Sequence, residues 1–308
     1  MKKSLWSSIE LRHFIALAEV GRTGSFTAAA TSLGYTQSAV SQQIKRLETV
    51  VGQQLVERSG GAQPVALTTA GQVLVSHAEA IEARLASAEA DLQALRDGVA
   101  GHLRLGSYES VGARILPHAL KEFSTQWPHI QVVLEEHDDD EILLSHVERG
   151  ELDLTFMVFP LIPGPFSATE LLEDPYVLVV SDDSPLLHET LPLRLDRLSE
   201  LPLATYGELR DVHGIAARLG RPSLSRQVIF RSNDNGTILG MAAQGLAVAV
   251  MPQLSVDPYQ PGIKVLELER VSPRIVGIAW HNGRRVTPAM KAFIDVATTI
   301  AAQVKSRR

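Results

Sequence analysis

Between Thr36 and Arg46 the chain reads TQSAVSQQIKR, with more hydrogen-bonding side chains than solubility requires. Glu, Lys and Arg would keep a surface helix soluble with better helix propensity than Ser, Thr and Gln. Val40, Ile44 and Leu47, spaced four and three apart, form an inward stripe. The opposite side then carries Ser38, Gln42, Lys45, Arg46 and Thr49, flanked by Gln37 and Ser41. Amides and hydroxyls can read base edges: Gln bonds adenine N6 and N7 together, and Ser donates to or accepts from several bases. Lys45 and Arg46 suit phosphates instead. The plainer reading is a solvated helix face.

The elements around this helix favour the sharper reading. Leu11, Phe14, Ile15 and Ala18 make the stripe of a first helix. Ser25 is a good N-cap for a second, with Phe26, Ala29, Ala30 and Leu33 on its inner face. Gly34 follows where a helix end wants a left-handed residue, and Thr36 caps the third helix at once. Two short helices joined by a Gly-containing tight turn are the helix-turn-helix signature, whose second helix enters the major groove N-terminus first. Next comes VERSGGAQPVALTTAG, where Gly60-Gly61 turns between two short strands ending in Val65 and Leu67. That is a wing, with Arg58 placed for a phosphate; an exposed ion pair is the plainer role for Arg58.

Charge and composition agree. The 308 residues exceed what one core usually serves, so two or three domains are expected. Residues 1–65 hold seven Lys and Arg against four Glu, a net +3, leaving −9 for the rest of a chain whose total is −6. A basic head on an acidic body suits nucleic acid at the head. The absence of cysteine excludes disulfides, thiolate-zinc sites and a cysteine nucleophile. The start lacks a secretory pattern, and no run approaches the about 18 apolar residues of a membrane span. A cytoplasmic protein without membrane contact is expected.

The segment SFTAAATSLGYTQSAVSQQIKRLETVVGQQLVERSGG, followed by LTTAG, resembles the N-terminal domain of LysR-type transcriptional regulators. The match runs unbroken through turn, recognition helix, wing and the start of the next helix. It implies contact with double-stranded promoter DNA through Thr36, Gln37, Ser38, Ser41, Gln42, Lys45, Arg46 and Arg58. Two residues depart from the family, which usually has Pro at the place of Ser38 and Arg at the place of Gln42. A third departure, GRTG before Ser25, reads as an insertion lengthening the first turn.

From Thr68 the chain is predicted helical to about Asp97. Leu74, Ala78, Ile81, Leu85, Ala88, Leu92 and Leu95 alternate four and three apart, a narrow seam suited to a partner helix. A dimer would present two recognition helices to two half-sites. The expected assembly is a homodimer, with a homotetramer as the larger form.

After Gly101 apolar runs at 103–106, 130–134, 152–158, 176–180, 228–230, 246–251 and 275–280 alternate with helical stretches at 111–126, 139–149, 211–219, 235–244 and 288–304. That alternation predicts an α/β fold with mostly parallel sheets in two lobes. The resemblance implies a two-lobed body like periplasmic binding proteins, which often takes small carboxylates in its cleft. The expected organisation is a winged helix-turn-helix at 9–67, a linker helix at 68–97 and an effector-binding body at 102–305. Lobe one spans about 102–170 plus 275–305, and lobe two about 175–270.

Ligands in such folds sit beyond the carboxyl ends of strands and at helix N-termini. That rule selects Ser107 and Ser110 in GSYES, Phe159 in VFP, Thr205 and Tyr206 in ATYG, and Asn233 in SNDNGT. Simple N-capping is the plainer role for Ser110 and Asn233. Glu109 and the run EEHDDDE (135–141) oppose an anionic effector if they face the cleft. The blander reading of that run is acids complementing a helix dipole. No phosphate-binding, zinc or nucleophile-elbow motif occurs, and the ten His lack metal spacing, so no cofactor is expected. An α/β enzyme with an appended DNA-binding head is the alternative, resting on fold analogy alone.

Overall fold

The computed structural model describes residues 5–57, 64–96, 101–207, 218–257 and 259–306. Arg58, the Gly60-Gly61 turn and most of the helix expected at 211–219 fall outside these. The chain divides into two compact units, one chiefly of residues 1–93 and the other chiefly of residues 94–308.

The first unit is built on α1 (Leu11–Thr23), α2 (Phe26–Leu33) and α3 (Gln37–Val51). Its core holds Ala16, Leu17, Val20, Ala29, Ala30, Val40, Ile44 and Leu47. The buried face of α1 is therefore His13, Ala16, Leu17 and Val20; of the expected Leu11, Phe14, Ile15 and Ala18, Phe14 packs against this core from its margin and Leu11 is 38% exposed. An aliphatic stripe misses His13 because its burial depends on a local bond: the Glu10 amide donates to Nδ1 at 2.8 Å. Burial also lowers the His13 pKa, against the opposing pull of Glu10. The GRTG segment does not lengthen the turn, since Gly21, Arg22 and Thr23 continue α1 and only Gly24 and Ser25 separate the helices.

The remaining local signals act as their chemistry predicts. The Ala28 amide donates to Ser25 Oγ (3.3 Å), and the Ala39 amide donates to Thr36 Oγ1 (3.2 Å). Gly34 adopts φ 69°, which costs a Cβ-bearing residue most. The wing strands β1 (Val56–Glu57) and β2 (Ala66–Leu67) pair antiparallel. Thr68 ties them to α4 (Thr69–Arg96): Oγ1 donates to the Gln54 carbonyl (2.7 Å) and accepts from the Gly71 amide (3.1 Å). A Cβ at Gly71 would lie 2.0 Å from the Leu55 carbonyl oxygen, so this contact admits glycine only.

Along α4, Leu74 belongs to the head core and Ala78 is fully buried, which corrects their assignment to a partner seam. Ile81, Leu85, Ala88 and Leu92 are exposed. The Leu95 side chain lies outside those described.

Among the described residues the second unit has ten strands: β3 (Gly101–Ser107), β4 (Ile130–Glu136), β5 (Leu154–Val158), β6 (Phe166–Asp174), β7 (Tyr176–Ser181), β8 (Leu203–Thr205), β9 (Val228–Arg231), β10 (Val248–Pro252), β11 (Ile263–Glu267) and β12 (Arg274–His281). One sheet has the order β4-β3-β5-β12-β6 and the other β11-β7-β10-β8-β9. Each is mixed rather than mostly parallel: β4-β3-β5 and β10-β8-β9 run parallel, while the other pairs are antiparallel. The cause is the crossing of the chain between sheets. Strand β6 ends at Asp174 and β7 begins at Tyr176, and the return from β11 to β12 brings Arg274 opposite Asp174. A strand that leaves one sheet at an edge cannot continue its βαβ repeat, so it adds antiparallel.

Helices cover these sheets. The stretch expected as one helix at 111–126 is two, α5 (Glu109–Arg114) and α6 (Leu116–Gln126), broken at Ile115 ahead of Pro117. They are followed by α7 (Asp140–Arg149), α8 (Asn235–Ala243) and α9 (Pro288–Ser306). The first sheet packs through Phe156, with Phe293 of α9 set edge-on to both Phe156 and Phe123.

Candidate functional site

The polar face of α3 is displayed as its spacing implies. Gln37, Ser38, Gln42, Lys45 and Arg46 are exposed, and so is the cap residue Thr36; Ser41 is half-buried. Thr36 Oγ1 lies 3.0 Å from Ser38 Oγ, so the Ser38 hydroxyl is steered by the cap. At the other end Glu48 Oε1 accepts from the Leu55 amide at 3.0 Å, fixing α3 against the wing strand. The helix is held by backbone bonds and an apolar stripe, leaving its amides and ammonium groups unconstrained for an external partner.

A second site lies in the body, where a chamber of about 90 Å³ is lined by Tyr108, Glu109, Ser110, Asp138, Tyr206, Asn233, Asn235, Ser255 and Arg274. Its residues come from the ends of strands in both sheets and from the β12 crossing strand. At the floor, Arg274 is 7% exposed and its guanidinium donates to Asp174 Oδ2 (Nε 2.9 Å, Nη2 2.8 Å) and to Ser110 Oγ (2.7 Å). It also lies 5.5 Å from the Tyr108 ring centre. Burial opposes the Arg274 charge, but Asp174 and the tyrosine oxygens more than offset this and raise its pKa.

Two bonds cross the cleft above it. The Asn235 amide donates to Glu109 Oε2 (3.2 Å), and Asn233 Nδ2 donates to Asp138 Oδ2 (2.5 Å). On the β8 side Tyr206 Oη donates to Asn235 Oδ1 (2.7 Å), and the Gly207 amide donates to Asn233 Oδ1 (2.9 Å). Burial raises the Glu109 pKa; Asn235 opposes the shift, while Asp234 and Glu136 add to it. Outside the chamber Glu109, Asp138 and Asn233 continue into a wider mouth of about 610 Å³ with Glu136, His137 and Asp234.

Of the six body residues selected by sequence, Ser110, Tyr206 and Asn233 meet in this chamber. The others do not line it. Ser107 Oγ donates to the Tyr108 carbonyl, Thr205 is buried in β8, and Phe159 packs with Leu144, Met157 and Ala279 while its carbonyl accepts from Arg218. Neither Ser110 nor Asn233 is an N-cap; Tyr108 and Asp234 occupy those places. The strand-end rule does not select Tyr108, Glu109, Asp138, Asn235, Ser255 or Arg274. Tyr108 and Glu109 sit in a loop it does select, whereas Ser255 and Arg274 carry no local motif.

The chain matches the family model described as "Bacterial regulatory helix-turn-helix protein, lysR family" over residues 11–72, and "LysR substrate binding domain" over residues 96–301. It is 28% identical to a probable HTH-type transcriptional regulator, LrrA, of Synechococcus elongatus over 296 residues, covering 94% of this chain and 97% of that protein. It is 26% identical to the DNA-binding transcriptional dual regulator OxyR of Escherichia coli over 303 residues, covering 96% and 95%. Among solved structures, full-length CbnR complexed with its target DNA has the same fold, with TM-score 0.70, 19% identity and 94% and 99% of the chains covered. A full-length OxyR variant from Pseudomonas aeruginosa matches with TM-score 0.61, 25% identity and 95% and 94% coverage. A capped helix-turn-helix with its wing, a long helix, and paired mixed sheets enclosing a polar chamber thus occur together in one chain, which belongs to the LysR family of DNA-binding transcriptional regulators with an effector-binding domain.

Proposed function

We propose that this regulator binds promoter DNA as a homodimer or homotetramer in the cytoplasm, and that a small molecule in the body chamber sets its output. The proposed organisation is a DNA-binding head at 9–67, a dimerising linker at 68–97 and an effector-binding body at 102–305. Gln37, Ser38, Ser41 and Gln42 read bases, while Thr36, Lys45, Arg46 and Arg58 hold phosphates. Ile81, Leu85, Ala88 and Leu92 are exposed apolar or small positions on one long helix, which suits a partner helix. The relatives are transcriptional regulators, which favours a regulator over an enzyme. A cysteine-based response has no residue to act on here, because the chain contains none.

The observation that carries the ligand role is the pair of polar bonds across the cleft, Glu109 to the Asn235 amide and Asp138 to Asn233. A molecule in the chamber can take over these groups, and it shifts the lobes only as far as its affinities for the two arrangements differ. The test has two arms. In the first, DNA fragments from beside the protein's own gene are titrated by fluorescence anisotropy. Gln37→Ala should cost about 1–3 kcal/mol on the specific site and relax its sequence preference. Lys45→Ala should weaken binding to all DNA and flatten the salt slope. An unchanged site profile for the Gln37 variant removes the base-reading role. In the second arm the promoter response to a small-molecule extract is measured. Tyr206→Phe and Ser110→Ala should require several-fold more extract, and a normal response in both removes the chamber from the mechanism.

A further inference from the structure

Resting on the reading of the chamber as the effector site, we propose that the effector is a small organic cation, an amine or guanidine, held by the carboxylates of Glu109 and Asp138 beside Tyr108. The chamber's charge is the first reason. Arg274, its one cation among the described residues, is already committed to Asp174 and Ser110. Nearby Arg218 donates to the Phe159 carbonyl and Arg231 to the Tyr206 carbonyl, and neither lines the chamber. Among the described residues, Glu109 and Asp138 accept from neutral groups, the Asn235 amide and the Asn233 carboxamide, while His137 Nδ1, 3.1 Å from Asp138 Oδ1, is itself an acceptor for the Asp139 amide. Glu136 and Asp234 add negative charge at the mouth. Apart from Arg274, whose charge Asp174 balances, an anion entering here meets carboxylates at the mouth and in the chamber, where a cation is attracted.

The Tyr108 hydroxyl is the second, independent reason. Tyr108 is 8% exposed and lines the chamber, yet its hydroxyl oxygen has no hydrogen-bond partner. A buried polar group left unmade is costly, so such groups are normally paired. A phenol oxygen can accept from an ammonium or guanidinium N–H, which would pair it and add an acceptor to the chamber wall. Tyr206, Ser110 and Ser255 complete a neutral polar wall.

Size narrows the class. A volume of about 90 Å³ equals about three water molecules, enough for one charged head group but not for a metabolite of ordinary size. The rest of the ligand must extend into the acidic mouth, so a second cationic or polar end is favoured there. A bare metal ion fits less well: no group of three or more His, Asp or Glu able to hold one occurs among the described residues. On binding, the cation replaces the Asn235 amide and Asn233 as partner of the two carboxylates. Those bonds join the lobes at the cleft, alongside Arg218 to the Phe159 carbonyl and Arg114 to the Val256 carbonyl farther off, so ligand charge is coupled to cleft geometry.

The test is calorimetric titration of the full chain at fixed ionic strength with 1,4-diaminobutane and agmatine as probes, and with succinate as an anion of similar length. At least one of the two cations should saturate at one per chain. Glu109→Gln and Asp138→Asn should each weaken it at least tenfold. Tyr108→Phe removes only an unpartnered hydroxyl, so it should leave the unfolding temperature unchanged or raised while weakening the cation several-fold. Failure of both cations to saturate overturns the proposal. Binding that persists within twofold in both carboxylate variants overturns it too, because it marks general attraction to an acidic chain. Saturation by succinate that Tyr206→Phe weakens overturns the cation and keeps the chamber as the effector site. Loss of the chamber itself is read separately, from the promoter response to extract.

Discussion

Asp174→Leu should be among the most damaging single substitutions in the body, and its cost follows from what it leaves behind. Asp174 is fully buried, accepts from both Arg274 nitrogens and also accepts from the Leu254 amide at 3.0 Å. Without it, the Arg274 guanidinium cannot escape by losing its proton, because arginine stays charged in proteins. It is left buried with Ser110 Oγ as its remaining neutral acceptor and the Tyr108 ring beside it. Breaking a buried pair in this way costs about 3–5 kcal/mol. For a unit of this size each kcal/mol lowers the unfolding temperature by about 2–4 °C, giving a drop of about 6–20 °C.

The attraction between the partners is a different quantity and needs the double variant. Asp174→Leu with Arg274→Met replaces both charges by apolar groups, and such exchanges are often near neutral. The double variant should therefore recover more than half of the loss. Trp127 and Trp280 pack against the core of the first sheet, so their fluorescence reports the body's own transition on thermal unfolding. An Asp174→Leu transition within about 2 °C of the parent would refute the reasoning, as would a double variant less stable than the single.

Three further outcomes are expected. Gly71→Ala places a Cβ 2.0 Å from the Leu55 carbonyl oxygen and must displace the wing strand, costing at least the about 1–3 kcal/mol of ordinary overpacking; operator affinity and head stability should fall together, measured by anisotropy and by the head's unfolding transition. Glu109 has its folded pKa raised, chiefly by burial. Its contribution to body stability is thus fully present below the ordinary glutamate pKa and is lost as pH rises through the folded value, so Glu109→Gln should flatten stability against pH in the window just above the ordinary pKa. Leu85→Asp puts a charge on an exposed linker position; light scattering should show the assembly weakening while each head stays folded, and an intact assembly would show that this face packs elsewhere.

The head was legible because its signals are local. Ser25, Gly34 and Thr36 each act within three or four residues of themselves, and Val40, Ile44 and Leu47 are buried as their spacing implies. Besides GRTG, which continues α1, two head expectations differ, the α1 face and the linker start, and both come from counting apolar residues alone. His13 is buried by a backbone bond, and Leu74 is drawn into the head core. In the body the rule of strand ends selects three loops that reach the chamber, GSYES, ATYG and SNDNGT, but not all of the side chains that line it. Ser107 still belongs to β3 and turns to its own backbone, so the next two residues, Tyr108 and Glu109, reach the chamber. Ser255 and Arg274 could not be read at all: Arg274 meets Ser110 across 164 positions of chain, through a crossing that no local pattern announces.

The run EEHDDDE shows why ligand charge is harder still. Asp139 does serve the start of α7, accepting from the Glu141 amide as the dipole reading expects, while Asp140 accepts from the Val158 amide of β5. Asp138, one residue earlier, accepts instead from Asn233 of the other lobe. A helix start satisfies its acids locally, so a reader of one lobe assigns all of them to the helix. Among the described residues, the facing lobe brings neutral amides to Asp138 and Glu109. On the cation proposal, the sign of the effector follows from what the facing lobe brings to these carboxylates, a property that neither lobe's sequence contains alone.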